Sequence, residues 1–177
     1  MRPNLTVLAL LTVLCGGVTS AVAGSSIDPD CAVEKYAGYA AAQARWQRDL
    51  TRLVVATCPQ YTEVANRYME DQLARIELRR IAVAFLARQR PATLDTTAPI
   101  NQWLSLDPAT EKEIAGGDER YAKLLQQQEQ ARARPPHPDG DALRTAMREK
   151  IMPKPAYRAL AARLSAAVEQ VEAIACE

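Results

Sequence analysis

Apolar and semi-apolar side chains recur at three- and four-residue steps from residue 30 to residue 57: Ala32, Tyr36, Tyr39, Gln43, Trp46, Leu50, Leu53 and Thr57. On a helix of 3.6 residues per turn these positions share one face, so the spacing predicts a first long helix. Asp28 or Asp30 can cap its start, and Pro59 forbids a smooth continuation beyond Cys58. A second helix is predicted from Pro59 or Gln60 to Gln89, because proline suits a first turn and Arg90 precedes Pro91. In its first half Tyr61, Val64, Tyr68, Met69, Leu73 and Ile76 share a broad face opposite charged positions. Its second half, Ile81 to Ala87, is apolar almost all round, which predicts burial on several sides.

The pattern then weakens. Residues 91–107 read as a connector with a short helical turn at Ile100 to Leu104 that plugs Trp103 into the core. Asp107-Pro108 carries a cap followed by a first-turn proline, and opens a third helix. Gly116-Gly117 interrupts that helix, and Asp118 restarts one that runs to Arg132. Past Leu125 no wide apolar stripe continues, so residues 118–134 are expected to form a peripheral or protruding arm. Residues 133–141 (ARPPHPDGD) are a loop by composition. A short helix from Asp141 to Lys150 follows, and then a last helix from Pro155 to Ala175. That helix carries the inner face Tyr157, Leu160, Ala161, Leu164, Ala167, Val168, Val171 and Ile174. No segment alternates as a strand would, and no repeat of 20 to 50 residues is present. The fold class is therefore all-α: an up-and-down bundle of about four main helices with a short extra helix.

Before the first of these helices lies a different pattern. Arg2 supplies a basic start, Leu5 to Cys15 is an apolar run of 11 residues, and Ala21-Val22-Ala23 offers small side chains at the positions a signal peptidase reads. The run is far short of the ~20 residues that span a bilayer, so residues 1–23 are expected to be a cleaved signal peptide and residues 24–177 a single helical-bundle domain. Cleavage is expected before Gly24 or one residue later. Leu14 before Cys15 does not suit lipid attachment. The mature chain is expected to be periplasmic or secreted, with no transmembrane segment.

Composition changes the picture in two ways. Without Arg2, 21 basic residues balance the 21 acidic ones, and a neutral chain has no general electrostatic grip on nucleic acid, so no nucleic-acid partner is expected. Loss of Cys15 leaves Cys31, Cys58 and Cys176, an odd number in a compartment that permits disulfides. Cys31 and Cys58 lie at opposite ends of one helix, about 40 Å apart at 1.5 Å per residue, beyond disulfide reach. A bridge of Cys31 with Cys176 joins the two ends of the domain, as an even-numbered bundle allows. Cys58 with Cys176 is the rival, and fits a last helix parallel to the first.

Candidate chemistry is sparse. His137 is the only histidine and sits in a proline-fixed loop, where it is expected to be solvated. His137-Pro138-Asp139 matches the tripeptide of J-domain cochaperones, but Pro153 and Pro155 break the helix that should follow, and no family is assigned. Cysteines lack the paired spacing for zinc, Cys-x-x-Cys is absent, and Gly116-Gly117 is not a phosphate loop, so neither a metal nor a cofactor is expected. No catalytic residue is nominated. Glu77 and Arg80, and Asp71 and Arg75, are spaced to pair along the second helix. Two function classes remain. The first is binding to a protein partner, as an inhibitor, immunity protein or accessory, chaperone-like subunit, through the polar arm, the loop 135–141 or the connector 91–107. The second is a small helical enzyme or carrier that holds an anionic ligand near Arg75 and Arg79.

Overall fold

A computed structural model describes residues 27–176, and the expected leader lies outside the described residues. The described residues form six α-helices and no strand: α1 (Pro29–Thr57), α2 (Thr62–Gln89), α3 (Pro108–Gly117), α4 (Glu119–Ala133), α5 (Gly140–Ala146) and α6 (Pro155–Glu172). The all-α reading holds, and the boundaries follow the caps. The Asp28 side chain accepts from the Asp30 N–H, Asp107 from the Thr110 N–H and Asp118 from the Tyr121 N–H, each satisfying an N–H that has no partner within its own helix. Asp118 is also the residue at which α3 stops, so one aspartate divides the two helices at the predicted glycine pair. α5 begins at Gly140 and passes into a π-helical turn at Met147–Ile151.

α1 and α2 form an antiparallel hairpin turned by a 3-10 helix at Pro59–Tyr61, and Arg88 at the far end of α2 pairs with Asp30 at the start of α1. α6 returns antiparallel along α1, which brings the Cys31 and Cys176 Cα atoms to 5.6 Å in a disulfide. This is the pairing expected from an even-numbered bundle. Gly38 sits where the two helices come close, since a Cβ there would lie 3.2 Å from a Val171 methyl. α6 packs by a narrow edge. Leu160 is its one buried residue, and Ile174, predicted on the inner face, is 46% exposed because the chain leaves the helix before reaching it.

Two separate cores result. The one at the disulfide pole joins Ala32, Tyr36 and Tyr39 to Leu78 through Ala87, and is closed by Leu94, Ile100, Trp103, Ile114 and Tyr121. Trp103 plugs it as predicted, its indole N–H donating to the Ala98 carbonyl at 2.9 Å. The other lies at the hairpin turn, where Leu143, Ala146 and Ile151 cover Val54, Cys58, Val64 and Ala65. Cys58 there is a buried free thiol.

Of the peripheral or protruding arm expected over residues 118–134, the peripheral form is found, docked and not protruding. α4 runs antiparallel along α2, with Gln128 only 4% exposed and its amide donating to the Asp71 carbonyl at 3.0 Å. Polar contacts hold this interface where an apolar stripe is missing. The loop after it is also tied down: Arg67 donates to the Pro135 carbonyl, and the His137 side chain is 8% exposed, not solvated as the composition suggested. Its Nδ1 accepts from the Asp139 N–H at 3.1 Å, and its Nε2 lies 3.6 Å from a Glu63 carboxylate oxygen.

Candidate functional site

Between the two cores the hairpin is left partly open. From residue 66 to residue 77 no α2 side chain is buried, although Leu73 and Ile76 lie on the apolar face of that helix. Opposite them α1 presents Ala37, Ala40, Ala41 and Ala44, whose i, i+3, i+4, i+7 spacing puts four small side chains on one stripe. Leu73, Ile76 and these alanines form the floor of a groove of about 560 Å³. Neither α6 nor α4 covers it, because α6 lies on another side of α1 and α4 on another side of α2.

The rim is cationic. Arg45, Arg48 and Arg52 stand along the α1 edge at spacings of three and four residues, all exposed, while Arg80 of α2 and Arg120 of α4 stand on the other side. Glu77 is the one carboxylate among the lining residues. It accepts from Arg80 through both oxygens, at 2.8 and 2.7 Å, and forms an ion pair with Arg120 at 2.8 Å. The bidentate hydrogen bonds from Arg80 hold the Glu77 carboxyl below its ordinary range, with the charges of Arg80 and Arg120 acting in the same direction. The same bonds raise the Arg80 guanidinium. On the α1 edge Asp49 is paired with Arg52. Arg45 and Arg48 have no ion pair among the described residues.

Arg75 and Arg79 lie one turn apart on α2 but in different surroundings. Arg75 is exposed. Asp71, which could have reached it along the helix, is drawn instead to Arg134 at the end of α4, 2.6 Å away, whereas the Glu77–Arg80 pair forms as its spacing predicted. Arg79 is half-buried at the disulfide pole, where it donates to the Tyr36 hydroxyl at 3.3 Å and the Asn101 carbonyl at 3.4 Å. The connector is likewise part of that pole. Lys35 donates to the carbonyls of Glu172 and Ile174 and lies over the Trp103 ring, and the Ile100 N–H reaches the Glu172 carboxylate.

Sequence reasoning passed over the groove because it followed the stripe of large side chains on α1. The alanine stripe beside it had a readable signal of its own, the same helical spacing in small residues next to three arginines. Chemically, a row of guanidinium groups offers hydrogen-bond donors and positive charge suited to anions. Among the described residues no three of His, Cys, Asp and Glu come together as a metal site, and no helix is long and apolar enough to cross a membrane. No family model matches the chain, and no curated protein or solved structure matches it.

Proposed function

We propose that the chain is an exported, periplasmic or secreted helical-bundle protein that acts by binding another protein, as an inhibitor, an immunity protein or an accessory, chaperone-like subunit. The observation that carries this reading is the open groove at the middle of the hairpin. A chain that closes both poles with dedicated elements, down to a plugged tryptophan and a half-buried histidine, leaves Leu73 and Ile76 partly exposed between them. Leucine and isoleucine at the floor of an open groove gain free energy when a partner removes them from water, at ~25 cal/mol per Å². The charged rim adds orientation and speed of encounter. The leader pattern of residues 1–23 and the Cys31–Cys176 bridge support the exported location.

The rival reading, an anionic small ligand near Arg75 and Arg79, has less behind it. Arg79 commits its Nε–H to Tyr36 and one Nη2–H to Asn101, and neither Arg75 nor Arg79 lines the groove. Replacing both by alanine separates the readings: a protein partnership survives that change, and a ligand site there does not.

The test is photo-crosslinking in the producing cell, with the reactive residue placed in turn at Leu73, at Arg163 on α6 and at Asp139 in the loop. A discrete protein adduct is expected, on a chain whose measured mass starts at Gly24 or Ser25. No protein adduct from any position, together with retention in the cytoplasm, would end the reading.

A further inference from the structure

Resting on the protein-binding reading, we infer that the groove between α1 and α2 seats an acidic amphipathic helix of the partner.

The floor sets the shape of the occupant. Four alanines at i, i+3, i+4 and i+7 form a shallow trough along α1, which lets another helix axis approach at the short end of the 8–10 Å range for packed helices. An extended strand would need an unpaired sheet edge to bond to, and the described residues contain no strand. From Ala37 to Arg52 the groove follows α1 for about 22 Å at 1.5 Å per residue, the length of a helix of about four turns. Leu73 and Ile76 give such a helix apolar side chains to pack on, so its own inward stripe is apolar.

The rim sets the charge. Five arginines line the groove against one carboxylate, and that carboxylate is already shared between Arg80 and Arg120. Outside the leader the chain is neutral, so this is segregation of charge and not a general basic character. Arg45, Arg48 and Arg52 also repel one another along α1, since like charges three or four residues apart disfavour a helix. Asp49 relieves Arg52 alone. A partner helix with Asp or Glu at i, i+3 and i+7 beside its apolar stripe matches this row turn for turn. The pairs would be arginine–carboxylate, the geometry in which a guanidinium binds with two parallel hydrogen bonds.

The experiment uses the full disulfide-bonded chain and synthetic helical peptides of about 15 residues, the length set by the rise per residue. One peptide carries an Ala/Leu stripe flanked by Glu. A second has the same composition scrambled so that no stripe forms, and a third has Lys in place of Glu. Heparin and single-stranded DNA serve as polyanion probes. The acidic amphipathic peptide is expected to bind, with an affinity that falls as salt rises, and R45E/R48E is expected to weaken it by roughly tenfold or more, mostly through slower association. The same variant is expected to gain binding of the Lys peptide, which shows that it is folded. A41W, which fills the trough without altering charge, is expected to abolish binding of the acidic peptide. No binding of that peptide overturns the proposal. So does equal binding of the scrambled peptide, heparin or DNA, which would make the rim a general anion patch. A protein adduct obtained from Arg163 or Asp139 but never from Leu73 overturns the groove while leaving the protein-binding reading standing.

Discussion

Glu77 is the residue on which the charge of the groove turns. Its carboxyl is held below the ordinary value by Arg80 and Arg120, so it contributes stability above its unfolded value of about 4.3 and loses that contribution as pH falls through the folded value. Glu77→Gln should therefore cost about 1 kcal/mol at pH 7, a modest figure because the pair is partly solvated, and little at an acid pH where the carboxyl is protonated. Denaturant unfolding of both proteins at the two pH values measures this. A difference that persists in acid would mean the glutamine disturbs packing instead. Gln128 makes the complementary point in a buried setting. Gln128→Ala removes its amide's bond to the Asp71 carbonyl, which keeps its partner within the helix, and should cost about 1 kcal/mol by the same unfolding assay. Its importance was not legible in the sequence. A glutamine in a run of LLQQQEQARAR looks like any other, and only the position of α2 makes one of them a buried tether.

At the scale of elements, periodicity was most informative where one helix presents one face to one neighbour. α1 and α2 came out close to their predicted limits, because caps and prolines act locally and owe nothing to the rest of the fold. α4 was misjudged for the opposite reason. Beyond Tyr121, Leu124 and Leu125, which pack on the disulfide-pole core, its docking uses hydrogen bonds and ion pairs, which leave no hydrophobic stripe to read. α6 shows a third case: a strongly patterned helix whose stripe is only half used, with Leu160 alone buried. Such a helix depends on being tied at its end. Cys31→Ser should lower stability by about 2–5 kcal/mol, the usual cost of losing a native disulfide. Hydrogen exchange should locate the loss first in residues 155–172, before the α1–α2 hairpin opens. Uniform loss of protection across all helices would show that α6 and the hairpin unfold as one unit.

For the whole molecule, the division into two cores is the property no helix pattern announced. The apolar positions of α1 and α2 read as continuous faces, and the gap between the cores appears only when α3 and α5 are seen to sit at the poles while α4 crosses the middle of α2 through polar contacts. Ile114 belongs to the disulfide-pole core and Ile151 to the turn-pole core, both fully buried. Each change to alanine should cost about 2–5 kcal/mol, and the double variant should equal the sum within about 0.5 kcal/mol, because the sites share no packing partner. A larger departure would reveal a mechanical link running through the middle of the hairpin. The candidate groove lies in that same middle, between the two cores.

The position of Cys58 bears on how the covalent bond of this fold is chosen and kept. Among Cys31, Cys58 and Cys176 oxidation can give the wrong pair, yet any pair using Cys58 must pull it out of the core it shares with Val54, Val64 and Ile151. Mispaired chains therefore keep an exposed Cys31 or Cys176 thiol able to attack and rearrange, while the native chain holds its spare thiol dry at the pole opposite its disulfide. Exchange can run towards the native bond and then loses its nucleophile. Burial of a single sulfur at one pole thus disfavours every rival of the clasp at the other end of the molecule.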